Sequence, residues 1–242
     1  MKNNKETPLH GGQSTESVVR IGDIVHRTKS ANFKFIHSLL LHLEENNFPY
    51  APRFLGIDNQ GREMLSFIKG RVPRETLLSF PQKLSAIKIL RAFHDVFANT
   101  SFCKEYETIC HNDFAPWNII VHNGKVIGVI DFDEAAPGKR VDDVAYFIWT
   151  FLELGTSELS DSKQLEQIAE LAKSYDLENK ESLVPAILNQ QKRILYFRKQ
   201  IVIKEKDMVK KEFSQKKVKE IQKSIQWVLT NKNIMEETLN IN

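Results

Sequence analysis

The sequence predicts an α+β protein, with strands gathered in its first third and helices filling most of the rest. Three observations carry this. Apolar runs broken by turns at Gly22-Asp23 and Asn59-Gln60-Gly61 mark paired strands. An Asn123-Gly124 step between two further apolar runs marks a third hairpin. From residue 158 to about residue 232, apolar residues recur at helical spacing in a very polar background, Ile187, Ile194 and Phe197 among them as one helical face.

Residues 7–28 alternate as strands do. Val18, Val19 and Ile21 lead into the Gly22-Asp23 turn, and Ile24 to Arg27 runs back. The preceding Gly11-Gly12-Gln13-Ser14 stretch is a Gly-led polar loop; such a loop suits close approach of backbone N–H groups to phosphate, and equally an ordinary surface hairpin. Phe33, Ile36, Leu40 and Leu43 then fall on one helical face, and Asn46-Asn47-Phe48-Pro49 ends that helix. Residues 53–58 and 62–68 read as two strands. Pro81 opens an amphipathic helix bearing Leu84, Ile87, Leu90, Phe93 and Phe97, with His94 beside the stripe as a structural residue.

The chemistry is concentrated in residues 111–118, His-Asn-Asp-Phe-Ala-Pro-Trp-Asn. Pro116 lacks an N–H and fixes φ, so this is a shaped loop and not a helix. Asp113 and Asn118 can therefore face one point, with His111 and Trp117 holding the loop's shape. The strand after Asn118 turns at Asn123-Gly124, and the return strand delivers Asp131 back beside the loop. Two oxygen ligands, Asn118 and Asp131, next to a free carboxylate, Asp113, suit Mg²⁺, which takes one or two carboxylates plus substrate phosphates. The free carboxylate can accept a proton from an attacking hydroxyl, a role worth about 10²–10⁴ in rate. An Asp–Asn pair followed by a strand-end Asp is also the layout of phosphoryl-transfer centres. Asp133 could touch the metal or order Asp131. A helix follows through Val144, Phe147, Ile148 and Phe151, and an Asp at its start, Asp142 or Asp143, suits the backbone N–H groups and dipole there.

Residues 111–118, Ile130-Asp131-Phe132-Asp133 and Asp142-Asp143-Val144-Ala145 together resemble the aminoglycoside phosphotransferase (APH) family of kinase-like small-molecule kinases. The resemblance implies a protein-kinase-like two-lobed fold, with a small antiparallel-sheet lobe over residues 1–69 and a larger, mainly helical lobe over residues 70–242. It implies ATP or GTP as phosphoryl donor, Mg²⁺, and the hydroxyl of a small molecule, an aminoglycoside among the candidates, as acceptor. Gly11, Gly12 and Ser14 would belong to the nucleotide loop, although the G-x-G-x-x-G pattern is missing. Arg27 would stand for the strand-borne Lys that contacts phosphates, its fork able to grip them in two places. Ser66, Phe67 and Ile68 would form the hinge that holds the base through backbone groups. Asp143 would anchor the catalytic loop, with Asp142 as the capping alternative. The sequence departs from the kinase pattern at His37, which stands where a Glu would pair with the cation. That departure and the atypical loop motivate a second reading, a catalytically idle nucleotide-binding regulatory or immunity module. A protein kinase is not supported, because no A-P-E or activation-loop pattern is present.

Hydrophobic residues at 41% and charged residues at 27% are ordinary for a globular protein. Residues 1–6 contain no apolar signal region, and the apolar run at 145–152 is too short to span a bilayer, so no secretion and no membrane partner are expected. Cys103 and Cys110 lack metal-ligand spacing and fit a reduced, cytoplasmic protein. The net charge of +3 is unevenly spread: residues 191–223 hold twelve Lys/Arg against four Asp/Glu, leaving −5 on the remainder. The tract reads as a solvated helix face, and with few interleaved aromatics and no recognition motif no nucleic-acid partner is expected. A cationic aminoglycoside would want an acidic pocket, for which Glu134, Glu153, Glu158 and Asp161 are available. The basic tract, were it to line the cleft, would favour a neutral or anionic acceptor.

Overall fold

The computed structural model describes residues 5–9, 18–73 and 78–241. Five strands come first in one antiparallel sheet: β1 (Thr7–Pro8), β2 (Val19–Ile21), β3 (Ile24–Arg27), β4 (Phe54–Ile57) and β5 (Glu63–Ser66), in the order β1-β2-β3-β5-β4. Between β3 and β4 lies α1 (Phe33–Glu45), which buries Ile36, Leu39, Leu40 and Leu43, one helical face. Asn47 at φ +56° ends it, with Phe48 N–H reaching back to the Leu43 carbonyl at 2.9 Å. The reversal drops the Phe48 ring into the core.

The helical part begins with α2 (Phe80–Phe97). Its capping box joins Ser79 N–H to the Gln82 side chain at 2.8 Å, with Pro81 in the first turn. Strand β6 (Thr108–Cys110) leads into the 111–118 loop, and β7 (Ile119–His122) and β8 (Lys125–Val129) form the expected hairpin. Asn123 at φ +48° and Gly124 at φ +75° make the turn that matches strand twist. Strand β9 (Ala136–Gly138) pairs with β6, an addition that spacing did not announce. Helices α3 (Arg140–Leu152), α4 (Asp161–Tyr175), α5 (Leu183–Lys204) and α6 (Met208–Ile241) complete the chain.

One core runs from α1 through α2, α3 and α4 to Leu239 of α6. The segment joining sheet to helices is pressed against the β7–β8 hairpin. Arg71 pairs with Val121 through both backbone groups, at 3.0 and 2.9 Å. A Cβ on Gly70 would stand 2.5 Å from Ile120 Cγ2, so only glycine allows that approach.

The helices after the catalytic loop hold one correction. Ile187 is buried as its periodicity predicts, yet Phe197, ten residues on, is exposed. Helix α5 outruns the body that its first half packs on.

Candidate active site

The catalytic loop is held from behind by α3. The buried Asp143 carboxylate accepts the N–H of His111 at 2.6 Å and of Asn112 at 2.9 Å, one on each oxygen. His94 of α2 adds a third bond through Nε2 at 3.1 Å, while its Nδ1 meets the Tyr175 hydroxyl at 2.5 Å. Tyr175 O–H donates to Nδ1, leaving Nε2–H to face Asp143, which fixes a neutral tautomer. Burial pushes the Asp143 carboxyl up, and the bonds from His94 and the His111 N–H more than offset it, so it titrates below its ordinary 3.8. Burial also lowers His94. Cys110 lies beside this pair, with its thiol on the Lys139 carbonyl at 3.2 Å and raised by burial. Both oxygens of Asp143 are thus spent on the loop and on His94, and both nitrogens of His94 on Asp143 and Tyr175. Asp142 instead sits at the half-buried start of α3, its N–H on the Lys139 carbonyl.

The loop itself is bent by Asn112 at φ +62°, where its side-chain amide donates to the Glu134 carbonyl at 2.9 Å. A single turn at Pro116–Asn118 follows. Asp113 collects three donors: Tyr146 O–H at 2.8 Å on Oδ1, and Asn118 Nδ2 at 2.8 Å and Trp117 Nε1 at 3.3 Å on Oδ2. Asn118 Nδ2 also donates to the Asp113 carbonyl at 2.9 Å, so its amide oxygen is turned away and left for another partner. His111 is fully buried, with Nε2 on the Ile130 carbonyl at 3.2 Å.

Asp131 ends the return strand at φ +67°, a left-handed conformation that Asp tolerates better than most residues. The Ile130 N–H bonds the Asn118 carbonyl at 2.9 Å, which ties the two metal-ligand candidates together through backbone. Burial, then the charge of Asp133, raises the Asp131 carboxyl. An amide oxygen turned outward, and a carboxylate that burial and then like charge make reluctant to ionise alone, are a donor set that fits a hard divalent cation.

Arg27 crosses from the sheet to this point. Its NH1 and NH2 grip Asp133 at 3.1 and 2.6 Å, NH1 lies 3.5 Å from Asp131, and Nε bonds Glu63. Glu63 in turn bonds His37 Nε2 at 2.8 Å. The expected absence of a glutamate partner is therefore corrected: strand β5 supplies the glutamate, and His37 of α1 holds it from the far side. Arg27 and Glu63 are direct cross-strand partners. Burial lowers Arg27, and Asp133 and Glu63 more than compensate, so it stays charged.

Of the hinge candidates, Ser66 N–H is given to the Arg53 carbonyl and Phe67 N–H to the Asp23 carbonyl, both at 2.9 Å. Among the described residues Ile68 has no such partner, and its side chain rests over Gly128. Gly11, Gly12 and Ser14 lie outside the described residues. Two residues of the site escaped sequence reading, Glu63 and Tyr146. Both are apolar-run positions whose meaning depends on register or on helix packing, and no local signal marks them.

A model of the phosphotransferase enzyme family (APH) matches residues 99–177. The chain is 30% identical to the trifolitoxin immunity protein of Rhizobium leguminosarum bv. trifolii, over 74% of this chain and 77% of that one. It is 28% identical to a probable aminoglycoside 3'-phosphotransferase of Lactococcus lactis, over 54% of this chain and 46% of the relative. Among solved structures, a choline/ethanolamine kinase family protein from Mesorhizobium loti superposes with TM-score 0.64 at 12% identity, covering 100% and 94% of the two chains. The aminoglycoside phosphotransferase APH(2")-IIa, solved with gentamicin, gives 0.57 at 15% identity, covering 96% and 93%. The fold is the two-lobed kinase-like one, and the chain belongs to the APH family of phosphotransferase enzymes.

Proposed function

We propose that the protein transfers the γ-phosphoryl group of ATP or GTP to a hydroxyl of a small molecule. The observation that carries this is Asp113, an acceptor-only carboxylate held in one orientation by Tyr146, Trp117 and Asn118. So held, it can orient the acceptor hydroxyl and take its proton as the oxygen attacks phosphorus. Asn118 and Asp131 would hold Mg²⁺, which when bound neutralises charge on the donor's phosphates. Arg27 would turn from Asp133 toward those phosphates, with Glu63 fixing its stem end. Base recognition by backbone falls to Ile68. The lobes divide at Lys69-Gly70, where the chain leaves the sheet for the hairpin below. A cytoplasmic setting suits Cys103 and Cys110, which are both free and buried.

The charge around the acceptor end favours a neutral or anionic hydroxyl compound over a polycationic aminoglycoside. Helix α5 packs against α3, and its Arg193 and Arg198 act on the buried Tyr146 phenol, countering the rise that burial and Asp113 impose. Two of the candidate acids are engaged with other partners. Asp161 is taken by Trp227 Nε1 at 2.7 Å, and Glu153 faces Lys83.

The test is incubation of the pure protein with Mg²⁺, labelled ATP or GTP, and a panel of sugars, amino alcohols and aminoglycosides. Transfer is expected with the parent and its loss, by at least about 10²-fold, in Asp113→Ala and Asp131→Ala with unchanged melting. Full activity in Asp113→Ala would overturn the mechanism. A second reading, an idle nucleotide-binding immunity module, is favoured by the two-armed Arg27–Asp133 contact and by the immunity protein to which the chain is similar. Stabilisation by nucleotide with no transfer to any acceptor would select it.

A further inference from the structure

Helices α5 and α6 form an antiparallel hairpin. Gln191 meets Ser224 at 2.8 Å, and the Arg198 guanidinium lies 5.5 Å over the Phe213 ring. Beyond that, the hairpin leaves the body: no residue from 192 to 213 is buried. Its end nevertheless carries large apolar side chains. Tyr196, Phe197, Ile203, Met208 and Val209 are 60–77% exposed, and no other large apolar side chain among the described residues exceeds 50%. A patch of this kind at a protruding tip calls for a partner.

The charge at the tip says what kind. Lys199, Lys204, Lys206 and Lys210, all exposed, and the half-exposed Lys211 alternate with the apolar residues along the same stretch. The two acids in the turn bond the backbone at the start of α6. Glu205 accepts the N–H groups of Lys206 and Asp207 at 2.8 and 2.9 Å, and Asp207 accepts those of Val209 and Lys210 at 2.9 and 3.1 Å. With Glu212 they make three acids against eight Lys/Arg over residues 192–213, so the tip keeps a net charge of +5.

We propose that the α5–α6 tip docks on an anionic lipid surface, with Ile203, Met208 and Val209 entering the headgroup region and the lysines pairing with lipid phosphates. Aliphatic side chains framed by long-stemmed lysines suit an acyl boundary, where the stems lie in apolar surroundings and the ammonium groups stay wet. The outermost residues of the tip, Ile203, Met208 and Val209, are aliphatic and offer no face to a stacked base, so RNA fits the end of the patch less well. Docking is peripheral, since no helix is long and apolar enough to cross a membrane. It does not depend on phosphoryl transfer.

The test is co-sedimentation of the full chain with vesicles of phosphatidylcholine alone or mixed with phosphatidylglycerol. Binding is expected only with the anionic vesicles and should fall steeply in high salt. The pair Ile203→Ser/Val209→Ser should weaken it by about tenfold or more, and Lys210→Glu/Lys211→Glu by about fivefold per lysine. Melting temperatures should not move, because neither pair touches the core. Equal binding to both vesicle types, or none, would overturn the proposal. So would a concentration-dependent dimer, or binding to single-stranded RNA, that the same substitutions abolish in place of vesicle binding.

Discussion

At the residue scale, the Arg27–Glu63–His37 relay separates this site from the usual kinase pattern. In that pattern the carboxylate partner of the phosphate-binding cation rides on the helix, and moving the helix breaks the pair. Here the carboxylate is one strand away, in direct register with Arg27, so the sheet itself fixes the pair. Glu63→Ala should raise the nucleotide KM by about 10- to 100-fold with a smaller change in kcat, the range seen when an orienting partner of a charged ligand is removed. Glu63→Gln should recover most of that loss, since its amide can accept from Arg27 Nε and donate to His37. An unchanged KM in Glu63→Ala would refute the positioning role. Tyr146→Phe removes the one donor on Asp113 Oδ1 that comes from outside the loop. A loss of kcat of about tenfold, with nucleotide KM steady, is expected from kinetics at saturating nucleotide.

At the element scale, α3 and α2 hold the catalytic loop through Asp143 and His94. Both groups titrate below their ordinary values, 3.8 and 6.5, so the unfolded chain binds more protons than the folded one as the pH falls. The stability they contribute is full above pH 6.5. It declines first as the unfolded histidine gains its proton, then again below 3.8 as Asp143 is forced to protonate. Asp143→Asn should cost about 1.5–3 kcal/mol at neutral pH and flatten the acid limb of a Tm-against-pH curve. A parallel, merely displaced curve would remove Asp143 from that linkage.

At the scale of the whole molecule, sheet and helices are joined where the chain passes over the β7–β8 hairpin. Gly70 lets its backbone meet that of Val121 at a distance that no Cβ allows, and Gly128 leaves room for the Ile68 side chain. Gly70→Ala should therefore destabilise the protein by about 1–3 kcal/mol, read as a lower denaturant midpoint at constant m. An unaltered midpoint would show that the joint can yield. The same scale explains the long basic tract, which has two parts: Arg193 and Arg198 act beside the catalytic loop, while Lys204 to Lys211 project from the tip.

The sequence by itself determined the α+β class, the β7–β8 hairpin and the 111–118 loop. Each rests on a local rule: Asn-Gly sets a turn, Pro116 forbids a helix, and spacing of three and four residues makes α1 and α2 amphipathic. Family and fold were legible for the same reason, since the residues that carry them are contiguous. Glu63 and Tyr146 were not. A glutamate inside an apolar strand has no meaning until register sets it against Arg27, and a tyrosine one turn into α3 has none until that helix packs under Asp113. Phe197 shows the converse: its spacing promised burial, but burial needs a neighbour, and only the tertiary structure decides where the neighbours end.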